Sequence, residues 1–116
     1  MMEPKNYEFN TDATLEMLLG NGFILLSNRL KMTRSLWKYK DGSTYVFAYI
    51  AIDMDRDGAL EIDVRCDNGE MYIPFYNPEQ RHNNQVYEEV VRKYNNILDD
   101  LVRKNILKHV KEKENG

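Results

Sequence analysis

Apolar residues alternate with polar or aromatic ones through the middle of the chain. Val46, Ala48, Ile50 and Ile52 interleave with Tyr45, Phe47 and Tyr49, and Leu60, Ile62, Val64 and Cys66 interleave with Glu61, Asp63 and Arg65. A period of two is the signature of strands with one face buried. Turn sequences punctuate the stretch at Asp41-Gly42, Asp55-Arg56-Asp57-Gly58 and Asn68-Gly69, and each implies a hairpin of definite register. The first pairs Tyr39 with Thr44, Trp37 with Val46 and Ser35 with Ala48. The second pairs Ile52 with Leu60, Ile50 with Ile62 and Ala48 with Val64. The third pairs Cys66 with Met71, Val64 with Ile73 and Ile62 with Phe75. The spacing thus predicts a meander over about residues 33–40, 44–54, 59–67 and 70–76, with Phe23 to Leu26 as a further, buried strand before it.

Helical spacing appears at both ends. Thr11 or Asp12 can cap a short helix through Leu19, with Leu15, Leu18 and Leu19 on one side and Gly20-Asn21-Gly22 as its stop. From about Asn84, Val86, Tyr87, Val90, Val91, Tyr94, Ile97, Leu98, Leu101 and Val102 recur at the spacing of an amphipathic helix. Run to about Val110 it would be roughly 40 Å long, more than a short strand can cover, so its end must overhang, bend near Asn105 or meet another subunit. Residues 1–10 read as a loose N-terminal arm that can dock by Tyr7 and Phe9, and residues 111–116 as a solvated tail. The expected fold is α+β: a short N-terminal helix, an antiparallel meander of four to five strands, and a long C-terminal helix on one sheet face. At 116 residues, one domain is the expectation.

The predicted registers sort side chains into two faces. One is apolar, from Trp37, Val46, Ala48, Ile50, Ile52, Leu60, Ile62 and Val64 to Ile73 and Phe75, and suits the long helix. The other carries Arg34, Leu36, Lys38 and Lys40, then Tyr45, Phe47 and Tyr49, then Glu61, Asp63 and Arg65, then Tyr72, Pro74 and Tyr76. Aromatic rings among charges of both signs make an apolar surface larger than a monomer usually leaves bare, so a cover is expected: the N-terminal arm, a second subunit or another partner. Arg34, Leu36, Lys38, Lys40, Tyr45, Phe47, Tyr49, Tyr72 and Tyr76 are the candidate interaction residues.

Candidate chemistry is sparse. Cys66 is the only cysteine and sits in an apolar alternation, as core filler. Asp53, Asp55, Asp57 and Gly58 match the opening of a calcium loop, but the twelfth position is Val64 where a bidentate Glu is needed, leaving at most a weak partial site. Arg29 to Lys40 holds five cations and no acid, interleaved with aromatics, the physics of a nucleic-acid surface; Asp53 to Glu70 opposes it with seven carboxylates. The order helix, Gly20-Asn21-Gly22-Phe23, two strands, Asp41-Gly42 and strand is similar, over about residues 14–50, to the HicA toxins, RNA-cleaving proteins of double-stranded-RNA-binding fold. Their motif has a catalytic His where Ser35-Leu36-Trp37 stands, so the resemblance is one of topology and carries no catalytic residue over.

His82 and His109 lie far apart, with no metal-ligand spacing, and no phosphate cradle or nucleophile elbow is present. The expectation is therefore a non-enzymatic interaction protein without cofactor or metal, partnered by another protein or by itself as a homodimer. The alternative is a nucleic-acid-binding module on the basic, aromatic strand pair. The net charge of −3 gives no global attraction to nucleic acid or anionic lipid. No stretch is apolar for long enough to span a bilayer and the N-terminus lacks a signal-like run, so the expected place is the cytoplasm. Small size, acidity and Lys, Asn and Tyr usage suggest a bacterial or phage accessory factor.

Overall fold

The alternating segments become strands and the helically spaced ones helices. The computed structural model describes residues 3–53, 55 and 58–110. In order these form β1 (Tyr7–Phe9), α1 (Leu15–Gly20), β2 (Ile24–Leu26), β3 (Arg29–Lys38), β4 (Thr44–Asp53), β5 (Ala59–Cys66), the single turn α2 (Ile73–Tyr76), a 3-10 turn (Pro78–Gln80), α3 (Gln85–Arg103) and β6 (Leu107–His109). The main sheet has the order β2-β3-β4-β5, antiparallel throughout, while β1 and β6 form a separate two-stranded ribbon. The α+β architecture, the four-stranded meander and the long covering helix are as the sequence predicts.

The core lies between α3 and one face of the main sheet. Tyr87, Val90, Val91, Tyr94, Leu98 and Leu101 of α3 are buried with Leu30, Met32 and Leu36 of β3, Val46, Ala48, Ile50 and Ile52 of β4, and Val64 of β5. Asn84 caps α3, its side-chain oxygen accepting the Tyr87 N–H at 2.9 Å. Thr14, rather than Thr11 or Asp12, caps α1, accepting the Met17 N–H at 3.2 Å. Of the predicted stripe of α1 only Leu18 is buried; Leu15 and Leu19 are exposed.

Four expectations need correction. The β4–β5 register is as predicted, but in the β3–β4 hairpin only Trp37 opposite Val46 holds: a bulge around Leu36 puts Arg34, not Ser35, opposite Ala48, and a second irregularity beyond Trp37 puts Lys38, not Tyr39, opposite Thr44. One residue of slip inverts the faces. The third hairpin closes one place out, with Arg65 opposite Met71 and the Tyr72 N–H on the Val64 carbonyl at 2.9 Å, and then stops being a strand. Pro74 has no N–H for a ladder and suits the first turn of a helix, so residues 73–76 wind into α2. The sheet's fourth strand is β2 at the opposite edge. That strand is not buried as predicted: Phe23 is, but Ile24, Leu25 and Leu26 are exposed along the sheet edge.

The last correction concerns the termini. α3 ends at Arg103, and Asn105 takes φ 62°, a left-handed turn that Asn tolerates better than most residues. The bend expected there sends Leu107–His109 back as β6. Its partner is Tyr7–Phe9, inside the segment expected as a loose arm, in register Tyr7 with His109 and Phe9 with Leu107. Residues 111–116 lie outside the described residues.

Candidate functional site

With α3 on one side of the main sheet, no described element lies over the other. The described residues extend 45 × 40 × 22 Å, and the short dimension accommodates one sheet and one helix layer. Cross-strand partners share a face, so the register fixes what the bare side presents. Its rows are Lys31, Ala51 and Glu61; then Thr33, Tyr49 and Asp63; then Ser35, Phe47 and Arg65. Ile24 and Leu26 of β2, opposite Lys31 and Arg29, extend it at one flank and are 63% and 54% exposed.

The electrostatics of this face are graded across the strands. Arg29 and Lys31 stand on β3, Glu61 and Asp63 on β5, and the rings of Phe47 and Tyr49, 5.9 Å apart, on β4 between them. Arg29 reaches across the sheet to pair with Glu61, and Arg65 pairs with Asp63 at 3.4 Å while donating to the Gly69 carbonyl at 2.8 Å. Lys31 has no ion-pair partner among the described residues. A shallow concavity of about 380 Å³ runs over Tyr49 and Ala51 between the two flanks.

Not all the predicted interaction residues gather here. Phe47 and Tyr49 do. Arg34 and Leu36 are on the helix side: Leu36 is buried, and Arg34 shares a groove with Ile97 and Asp100 of α3. Lys38 and Lys40 are exposed beside the Asp41-Gly42 turn. Tyr45 joins Trp37, Tyr39 and Tyr72 in a ring cluster with centroids 5.2–6.3 Å apart, near the start of α3, where Trp37 Nε1 donates to Glu89 at 2.8 Å. Tyr72 is buried, and desolvation raises its hydroxyl well above the usual range. Tyr76 lies at the β5 edge, where its hydroxyl accepts the Val64 N–H at 2.8 Å; burial pushes its pKa up and that hydrogen bond pulls it down.

Asp57 lies outside the described residues. Asp53 accepts the Asp55 N–H at 3.0 Å and Asp55 accepts from the Asn28 amide at 2.8 Å, the hydrogen bonds of a polar turn. Among the described residues no group of three His, Cys, Asp or Glu side chains could hold a metal ion.

A second polar cluster escaped the sequence reading. Asp99 of α3 accepts from the Tyr7 hydroxyl at 2.7 Å and from Lys5 at 2.9 Å, and its carboxylate lies 3.4 Å from His109 Nε2. Burial works to raise the Asp99 pKa, but the Tyr7 and Lys5 hydrogen bonds and nearby charge hold it below the usual carboxylate range. Its members come from residues 5 and 7, 99 and 109, so only the β1–β6 pairing brings them together. The cluster ties the terminal ribbon to α3, and Tyr7 lies with its ring against His109 at 5.0 Å.

No protein-family model and no curated protein matches the chain. No described helix is long and apolar enough to cross a membrane. Among solved structures, the chain is similar to the crystal structure of a DUF1831 family protein, lp2179, from Lactobacillus plantarum. The similarity covers 95% of this chain and 94% of that one with a TM-score of 0.72 at 16% sequence identity, so the two share a fold.

Proposed function

We propose that the protein is a non-enzymatic interaction factor, and that its contact surface is the bare face of the main sheet around Phe47 and Tyr49. The observation that carries this reading is a sheet face with aromatic and aliphatic groups among charges of both signs and no described element over it. Mixed charge suits a protein surface, where opposed signs set orientation and reject wrong partners. It suits nucleic acid poorly. Arg34 is on the other side of the sheet, and Glu61 and Asp63 flank Tyr49, so a backbone stacked there would set phosphate beside carboxylate. On this reading the protein is a cytoplasmic accessory factor of bacterial or phage type.

A photo-crosslinking amino acid tests the proposal. Placed at Tyr49 in cells, it is expected to give a discrete protein adduct that survives nuclease and high salt, while the same group at Lys93, exposed on α3, gives none. Equal labelling from both positions, or none from position 49, overturns the reading. Binding to mixed oligonucleotides that falls steeply with salt would favour the nucleic-acid alternative instead.

A further inference from the structure

The bare face has a symmetry property that its composition alone does not reveal. Lys31 lies on one flank and Glu61 and Asp63 on the other, where Arg65 pairs with Asp63, and the rings lie between, so the Lys31–Glu61 level is charge-complementary to its own image under one particular rotation. A two-fold axis parallel to β4, lying between two such faces, keeps each row at its own level and exchanges the flanks. Lys31 of one copy then faces Glu61 of the other, twice over, with Tyr49 against Tyr49 and Ala51 against Ala51 at the centre. The other in-plane axis, perpendicular to the strands, sets Glu61 against Asp63 when it passes between their rows, and Asp63 against Asp63 with Glu61 against Arg65 when it passes through the Tyr49 row; in neither position does Lys31 meet an acid. Only the axis along β4 gives the unpaired Lys31 an acidic partner.

We infer that the partner of this face is a second copy of the chain, seated face to face about a two-fold axis along β4, with reciprocal Lys31–Glu61 pairs. The inference rests on the proposal that the bare face is a contact surface. Aligned sheet packing supplies the geometry, since two sheet faces settle about 10 Å apart with strands within about 30° of each other. Ile24 and Leu26, exposed beside Lys31 and Arg29, add aliphatic surface at the outer flank. Lys31 has no ion-pair partner among the described residues, whereas Glu61 already pairs with Arg29 of its own chain, so the dimer contact brings a second cation to that carboxylate. Four strands at ~4.8 Å spacing and seven residues at ~3.3 Å give a patch roughly 20 Å on each side, about 400 Å² per copy, below the size of stable interfaces and in the range of weak, transient ones. The dimer is therefore a dissociating one, populated at high protein concentration.

Sedimentation equilibrium over a concentration series tests this. The wild-type mass is expected to rise from 13.8 kDa toward twice that value. K31E sets carboxylate against carboxylate at both reciprocal pairs, and E61K sets ammonium against ammonium there, so each variant alone is expected to stay monomeric. An equimolar mixture restores both pairs and is expected to dimerise, because one copy then carries acids on both flanks and its partner carries cations on both. K93E changes net charge as K31E does but lies on α3, and is expected to dimerise like the wild type. A wild type that remains monomeric, a mixture that fails to associate while both variants keep the wild-type circular dichroism, or a K93E loss equal to that of K31E overturns the inference. If the wild type is monomeric yet the crosslinker at position 49 captures a different protein, self-pairing falls and the contact-surface reading stands; if neither occurs, both fall.

Discussion

Arg81 is buried, an uncommon place for a guanidinium, and every part of it is engaged. Nε donates to the Pro74 carbonyl at 2.6 Å, Nη2 to the Phe75 carbonyl at 2.7 Å and Nη1 to Glu3 at 2.6 Å, while the group lies 4.8 Å above the Tyr87 ring. Those carbonyls belong to α2, a single turn too short to stabilise itself, so Arg81 fastens that turn to α3. We predict that Arg81→Met destabilises the protein by about 3 kcal/mol in urea unfolding, because it removes the donor that the Pro74 and Phe75 carbonyls and Glu3 share. Arg81→Lys should recover little of this, since an ammonium cannot reach in three directions with a planar fork. An unchanged unfolding midpoint in Arg81→Met would refute the assignment. Nothing in the letters around Arg81 marked it, because its partners are main-chain atoms placed by a proline turn.

At the scale of elements, the β4–β5 hairpin was legible because both strands alternate without interruption and Gly58 supplies the positive φ, here 78°, that the turn demands. What the turn does not disclose is that the Phe9 ring of β1 lies against Gly58, where any side chain would collide. The β3–β4 hairpin was legible only at Trp37, since a bulge adds a residue without changing the apolar pattern. Pro74 was visible in the sequence but was outweighed by the alternation of Met71, Ile73 and Phe75.

The terminal ribbon was hidden for a different reason, as three-residue strands carry no period and their pairing spans the whole chain. The ribbon's anchor to α3 has a measurable pH signature. The Asp99 pKa is held below its unfolded value near 3.9, so its contribution is complete above that pH and disappears as pH falls through the folded pKa. Because the side chain is 35% exposed, solvent screening limits the effect to no more than about 1 kcal/mol. Asp99→Asn is expected to lower stability near neutrality by that order and to flatten the acid side of the stability profile measured by thermal unfolding. A variant whose loss is the same at every pH would show that the carboxylate charge plays no part.

For the molecule as a whole, the consequence of these local events is a two-layer slab. The bulge at Leu36 turns Leu36 and Arg34 toward α3, and the proline turn withdraws residues 72–76 from the sheet. Both shifts strip residues from the face predicted in the sequence and leave a narrower one, in which Phe47 and Tyr49 run between a cationic and an acidic flank. That this face exists was readable from the strand alternation; which residues of β3 occupy it was not, because the answer turns on a single unpaired residue. A contact surface of this kind requires that the face be bare in the isolated chain. Tyrosine-resolved hydroxyl-radical labelling of dilute protein tests this most directly. Tyr49 is predicted to label many times faster than the buried Tyr72 and Tyr87. Tyr49 labelling as slow as Tyr72 at the lowest concentration would mean that the chain covers its own sheet and leaves no bare face for a partner.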